Sequence, residues 1–163
     1  MHRKIGLGIA SLLLISGCTG KQMVQENNQE SALITLKTPT MGYSDQGFIY
    51  KGSDFLKVEI YSMGQALVSF DINSANICMS LFECMSKEQF NSKVLSPAYP
   101  PALLENIFNA QPIFEGLNLV KNSNGFTQTI KKEGEYNITY SVVSEERVFR
   151  DTINKILIKV RPK

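Results

Sequence analysis

Several stretches of the sequence alternate apolar and polar residues with a period of two. "FLKVEIYS" alternates Leu56, Val58 and Ile60 with lysine and glutamate, and "QALVSFDI" continues the pattern after a short gap. Successive side chains of a β-strand point to opposite faces, so this period gives each strand one apolar and one polar face. Such strands are typical of an antiparallel sheet with one face on a core and the other in water.

The same period recurs in both halves of the chain. Further candidate strands are "ALITLK", "QGFIYKG" and "ANICM" in the first half, and "GFTQTIKKEG", "EYNITYSVVSEE" and "INKILIKVRPK" in the second. Between the halves, "SKEQFNSKVL" places Ser86 three residues before Gln89, which predicts a capping box and a short helix. Pro100 and Pro101 predict the first turn of a second helix, which Pro112 ends. The sequence therefore predicts a mainly β fold of the α+β class, with one curved antiparallel sheet and two short helices.

The N-terminus has the pattern of a bacterial lipoprotein signal. "MHRK" is basic, "IGLGIASLLLI" is an apolar run of 11 residues, and "ISGC" ends it. The run is too short for a permanent membrane span, which indicates an export signal over residues 1–17 and acylation of Cys18. The alternative is an ordinary secretory signal with a chance cysteine. Thr19 stands where some bacteria use aspartate to retain lipoproteins on the inner membrane, so we expect an outer-membrane anchor facing the periplasm.

Cleavage before Cys18 removes 17 of the 163 residues and leaves 146, enough for one domain. Residues 18–31 are polar and aperiodic and predict a flexible tether, followed by a single domain at 32–163. Loss of Arg3 and Lys4 leaves 15 basic and 15 acidic side chains, so there is no clustered charge that favours nucleic acid.

Residues suited to catalysis are few. The only histidine, His2, lies in the predicted signal, so histidine-dependent triads and most zinc sites are excluded from the mature chain. No phosphate-binding loop, dinucleotide fingerprint or nucleophile elbow occurs. We expect no enzyme activity, no metal and no cofactor, although a carboxylate-only enzyme is formally compatible with the composition.

Cys78 and Cys84 remain after Cys18 is acylated. Outside the inner membrane the compartment is oxidising, so this closely spaced pair predicts a local disulfide. A redox-active pair is the alternative, but the spacing is not C-x-x-C.

Met63 occupies the predicted turn "SMGQ" between two strands. Hairpin turns favour glycine, asparagine and aspartate, so a methionine there requires a reason. One interpretation is an apolar side chain aimed at a membrane; the other is a side chain folded back onto a neighbouring loop.

The predicted strand faces carry many large apolar residues for one small domain. A curved, open, barrel-like sheet with helices across its mouth can keep an apolar cavity, although such stripes are more often ordinary core. The candidate cavity residues are Phe48, Tyr50, Val58, Ile60, Val68, Phe70, Leu104, Ile107, Phe108, Ile138, Tyr140, Ile156 and Ile158.

Three stretches together resemble the LolB-type outer-membrane lipoprotein receptors of the LolA/LolB-like superfamily. "DFLKVEIYSMGQALVSFDINSANICM" resembles the strand–turn–strand segment of that family, in which the turn bears a protruding apolar residue. "FNSKVLSPAYPPALLENIFNAQPI" resembles its proline-interrupted helical pair, and "INKILIKVRPK" its closing strand. Met63 and Gly64 fall on the family's turn leucine and glycine. The chain departs from the pattern at Ser62, where the family usually has proline, and in lacking tryptophan.

The resemblance implies a monomeric lipid-anchored receptor whose cavity holds the acyl chains of lipoproteins. It also implies a periplasmic LolA-like carrier as partner and a protruding Met63 that acts in delivery to the outer membrane. The rival hypothesis is a non-enzymatic scaffold or assembly lipoprotein with a filled core, and an inert surface antigen is a third.

Overall fold

The computed structural model describes residues 28–80 and 83–163 of the chain. The predicted signal, Cys18 and most of the predicted tether lie outside the described residues. The described residues form eleven strands and two helices. The strands are β1 Gln29–Lys37, β2 Gly42–Lys51, β3 Phe55–Ser62, β4 Gln65–Asn73, β5 Asn76–Met79, β6 Met85–Ser86, β7 Leu119–Asn122, β8 Gly125–Lys132, β9 Tyr136–Val143, β10 Glu146–Asp151 and β11 Ile156–Pro162.

All eleven strands belong to one antiparallel sheet with the order β6-β5-β4-β3-β2-β1-β11-β10-β9-β8-β7. The first and last strands of the chain are neighbours in the middle of the sheet, where Ala32 pairs with Pro162 and Lys37 with Leu157. The first half of the chain is a meander that runs outward from this central pair, and the second half is a meander that runs from the opposite edge back to it. Within the described residues β6 and β7 are the outer strands and do not pair with each other, so the sheet is open.

The helices lie in the connection between the two outer strands. They are α1, Lys87–Val94, and α2, Leu103–Phe108, followed by a single 3-10 turn at Phe114–Gly116. The predicted capping box of α1 is confirmed, because Ser86 accepts from the backbone N–H of Gln89 and the Gln89 side chain accepts from the backbone N–H of Ser86. The second helix begins after the two prolines instead of including them.

One face of the sheet, called here the inner face, carries the core. Alternate residues of the long strands are buried on it, as in β9, where Tyr136, Ile138, Tyr140 and Val142 are buried. Residues 87–118, called here the covering segment, pack against this face. Phe90 of α1 contacts Phe70 of β4 edge to face, with ring centroids 6.0 Å apart.

Hydrogen bonds fix the covering segment to the second half of the sheet. The Tyr99 hydroxyl donates to Asp151 of β10 over 2.5 Å. Gln128 of β8 donates to the carbonyl of Ile113 and accepts from its N–H, both at 2.9 Å. Because Gln128 and Asp151 are buried, these bonds satisfy polar groups that would otherwise be costly in the core.

The mainly β prediction is confirmed, with three differences in the strands. β1 begins at Gln29, before the predicted domain start at Ala32, because it pairs with β2 from Gln29 onward. The predicted long strand "EYNITYSVVSEE" ends at Val143, and a separate strand, β10, follows after a two-residue turn. β6 and β7 were also absent from the prediction; they are short strands whose formation depends on pairing with β5 and β8.

The predicted disulfide is present. Cys78 of β5 and Cys84 are bonded, with an S–S distance of 2.03 Å. The bridge ties the end of β5 to the residue before β6 and so fixes the approach to the covering segment.

Replacing both Cys78 and Cys84 with serine should lower the free energy of unfolding by about 2 kcal/mol, because the short loop becomes free in the unfolded chain. Urea unfolding of the variant and of the wild type would measure this. Wild-type protein treated with a reductant should show the same loss. Equal midpoints for all three samples would contradict a stabilising role.

Candidate functional site

Met63 lies at the tip of the hairpin formed by β3 and β4. It has φ 52° and the following Gly64 has φ 80°. Two left-handed residues match a type I′ turn, whose local preference is for asparagine or aspartate followed by glycine. The Met63 side chain is fully exposed, with a relative accessibility of 103%. The interpretation that it folds back onto a neighbouring loop is therefore wrong.

A β-bulge extends the apolar surface of this hairpin. The register of β3 and β4 shifts between Ile60 and Tyr61, so Ile60 pairs with Val68 while Tyr61 pairs with Ala66. Leu67 falls between these pairs and is 47% exposed. Met63 and Leu67 are called here the apolar tip.

Eleven of the thirteen candidate cavity residues lie on the inner face or on the side of the covering segment that packs against it. They form part of one buried apolar cluster, with relative accessibilities of 0–1%. These residues are Val58, Ile60, Val68, Phe70, Leu104, Ile107, Phe108, Ile138, Tyr140, Ile156 and Ile158. The predicted faces of β3, β4, β9, β11 and α2 are thus brought together in one place.

Phe48 and Tyr50 are on the opposite, outer face, and their prediction as cavity residues is wrong. In β2 the inner-face positions are Gly47 and Ile49, which pair with Ile60 and Val58. The local pattern did not distinguish the two faces of β2, because Phe48, Ile49 and Tyr50 are consecutive apolar or aromatic residues. Gly47 has no side chain to mark the inner face, and a Cβ there would lie 2.5 Å from the Glu59 carbonyl oxygen.

A cluster of charged side chains lies at the end of the inner face away from the apolar tip. Arg147 of β10 binds Glu30 of β1 through both terminal nitrogens, and Lys51 of β2 contacts the same carboxylate at 3.0 Å. Burial raises the pKa of Glu30, but the bonds to Arg147 and Lys51 outweigh it and hold this pKa below its ordinary value.

Asp151 and Tyr99 form a second polar group at the end of the inner face that carries the apolar tip. The carboxylate accepts from the Tyr99 hydroxyl, from the Asn154 side chain and from the backbone N–H groups of Asn137 and Ile153. Burial alone would raise the pKa of Asp151, and these bonds together lower it. Burial also raises the pKa of Tyr99, which keeps its hydroxyl protonated.

Sequence reasoning missed these inner-face polar residues. "ERVFRD" contains Arg147, Phe149 and Asp151 on one phase of a period of two, and this phase faces the core. Because two of these three residues are charged, the local pattern indicates a solvent-exposed segment. The stretch of sequence between Val143 and Ile156 could have predicted β10, because it is long enough for one more strand.

Three surface depressions of about 420 to 490 Å³ border the described residues. Most of the residues that line them are polar or charged, and Ile156 is the one candidate cavity residue that borders any of the three. In the described part of the chain there is no cluster of three or more metal-ligating side chains. Helices long and apolar enough to cross a membrane are likewise absent from residues 28–80 and 83–163.

Comparison with known proteins does not identify a family for the chain. No protein-family model matches the chain, and no curated protein sequence matches it.

The lowered pKa values of Glu30 and Asp151 predict loss of stability in acid. Their contribution is fully present above the ordinary carboxyl range and is lost as the pH falls through their folded-state pKa values. The free energy of unfolding, measured with urea, should fall as the pH drops below the ordinary carboxyl range of about 4. Tyr99→Phe should cost about 1 kcal/mol at neutral pH and flatten this fall, because Asp151 loses a donor. An identical pH profile for this variant would contradict the assignment.

Proposed function

We propose that this protein is a lipid-anchored receptor, without enzyme activity, that accepts acylated proteins and helps to insert them into the outer membrane. The observation that carries the proposal is the fully exposed Met63 at the hairpin tip. The left-handed backbone conformation is unfavourable for methionine, and exposure of its apolar side chain to water adds to the cost. The exposed side chain has no packing role at this position. Contact with a lipid surface would remove this cost, and the flexible thioether suits variable surroundings.

The length of the tether allows the apolar tip to reach the membrane that holds the lipid on Cys18. Gln29 is level with Tyr50 and Lys57 across β1, β2 and β3. Met63 lies six residues beyond Lys57, roughly 20 Å along the strand. Cys18 precedes Gln29 by eleven residues, which can span roughly 36 Å when extended. The lipid anchor and the tip can therefore contact one bilayer together.

Acyl chains are proposed to bind between the inner face and the covering segment. Each methylene kept from water contributes about 0.8 kcal/mol, so a transported acyl chain needs an apolar shelter of this kind. Towards β4 the covering segment makes the apolar contact between Phe90 and Phe70, while its hydrogen bonds to Asp151 and Gln128 lie on the other half. Separation of the apolar contact would expose the candidate cavity residues without breaking these hydrogen bonds. We propose a strongly curved, barrel-like sheet enclosing this shelter.

A scaffold or assembly lipoprotein is the second candidate. The observation that favours it is the close packing between the inner face and the covering segment, where eleven of the candidate cavity residues have accessibilities of 0–1%. On the outer face, Phe48 and Tyr61 form a half-buried aromatic pair with ring centroids 5.5 Å apart, which offers a surface to a protein partner.

Met63→Glu should weaken delivery of an acylated protein to lipid vesicles by at least about tenfold, because the carboxylate opposes insertion into lipid. The assay would measure the transfer of a lipoprotein from its soluble carrier to vesicles in the presence of the purified, lipidated variant. Met63→Leu is the matched control and should retain activity. The exposed position predicts unchanged folding for both variants, and normal delivery by Met63→Glu would remove the tip from the mechanism.

Binding of an acyl probe separates the two candidate functions. The full mature protein, kept in a fluorinated surfactant that does not dissolve hydrocarbon chains, should bind a fluorescent fatty-acyl probe saturably. A scaffold with a permanently filled core should bind none. Fluorescence anisotropy would measure the binding, and a folded protein without binding would contradict the receptor proposal.

A further inference from the structure

Two buried hydrogen-bond donors on the inner face have no acceptor within the described part of the chain. Among residues 28–80 and 83–163, neither the Tyr140 hydroxyl nor the Nε of Arg147 has a hydrogen-bond partner. Tyr140 is 1% exposed and Arg147 is 3% exposed. Buried polar groups in folded proteins are nearly always paired, so each exception requires an explanation.

The two donors are close neighbours on adjacent strands. Tyr140 of β9 pairs with Phe149 of β10, and Arg147 pairs with Val142, so the two residues are diagonal neighbours on the same face. Burial raises the pKa of Tyr140, and the charge of Arg147 acts on the hydroxyl in the opposite direction. The Tyr140 hydroxyl thus remains a neutral donor beside a guanidinium.

The surroundings of this pair change from polar to apolar along the inner face. Arg147 lines a surface depression of about 420 Å³ together with Glu30, Lys51 and Lys163. In the other direction along β10, Tyr140 lies beside the fully buried Phe149, with ring centroids 6.5 Å apart. The pair therefore lies between solvent and the apolar core, where the polar junction of an acylated molecule would lie if its chains occupied the inner face.

We propose that Tyr140 and Arg147 bind the carbonyl oxygen of an ester-linked or amide-linked acyl group. The inference rests on the proposed acyl-binding function and names the polar part of its ligand. A carbonyl oxygen can accept from both donors, and the hydrocarbon chain then continues toward Ile138 and Phe149 on the inner face. An uncharged acceptor fits better than an anion, because the Glu30 carboxylate already pairs with Arg147 and would repel a second anion.

The test compares two fluorescent glycerolipid probes that differ only in linkage. The diacyl probe has ester carbonyls, and the dialkyl probe has ether oxygens, which are weaker acceptors. The full mature protein in fluorinated surfactant should bind the ester probe at least about tenfold more tightly than the ether probe, because the ether oxygens accept more weakly from both donors. A fatty-acid probe serves as the anionic arm and should bind more weakly than the ester.

Tyr140→Phe is the deciding variant, because it removes a hydroxyl that pairs with no group among the described residues. It should lose a large part of the preference for the ester probe, because only the Arg147 donor remains, keep the affinity for the ether probe and melt no lower than the wild type. Tyr136→Phe is the matched control, since Tyr136 lies on the same face of β9 toward its other end. This control should retain the ester preference.

The outcomes separate this inference from the proposed function. Binding of both probes with equal affinity by the wild type, or an undiminished ester preference in Tyr140→Phe, would overturn the carbonyl site and leave acyl binding intact. Tighter binding of the fatty acid than of the ester would assign the site to an anion instead and overturn the inference. Binding of neither probe would overturn both the site and the receptor proposal. A lower melting temperature of Tyr140→Phe would show that the hydroxyl has a structural partner, which also overturns it.

Discussion

The antiparallel pairing of the first strand with the last organises the whole molecule. Six residue pairs join β1 to β11 and turn two separate meanders into one sheet. This pairing places β6 and β7 at the two outer edges of the described sheet, so the chain between them must travel from one edge to the other. The covering segment makes this crossing over the inner face, and its apolar side chains complete the core. Without the central pair, each half would have one more strand edge open to solvent.

Because the covering segment crosses the inner face, its polar groups need hydrogen-bond partners inside the core. The covering segment carries backbone groups into the core, and Gln128 satisfies those of Ile113 and Leu117. Asp151 satisfies the Tyr99 hydroxyl in the same way. At the other end, Glu30 and Arg147 neutralise each other across β11. The inner face is thus apolar in its middle and polar at both ends, an arrangement that suits a ligand with an apolar chain and one polar junction.

In the proposed arrangement one end of the sheet contacts lipid and the other binds the polar part of the ligand. The strand directions place the apolar tip at one end and the Arg147 cluster at the other. An acyl group held by its carbonyl near Tyr140 would extend its chain toward the end that carries Met63. The end of the chain that must enter the bilayer first would then lie nearest to the part of the receptor proposed to contact lipid.

The sequence by itself determined the features that depend on neighbouring residues. The alternation in β3 and β4, the capping box at Ser86 and the Cys78–Cys84 pair were predicted correctly, because each needs only local spacing. Of the thirteen candidate cavity residues, eight followed from the same period of two and three from the apolar side of α2. The tertiary structure alone decided the strand order, the phase of Phe48 and Tyr50, and the burial of Arg147 and Asp151. Arg147 is stabilised inside by Glu30, 117 residues away, and Asp151 by Tyr99, 52 residues away. A local pattern assigns charged residues to water, and only partners distant in the sequence make their burial favourable.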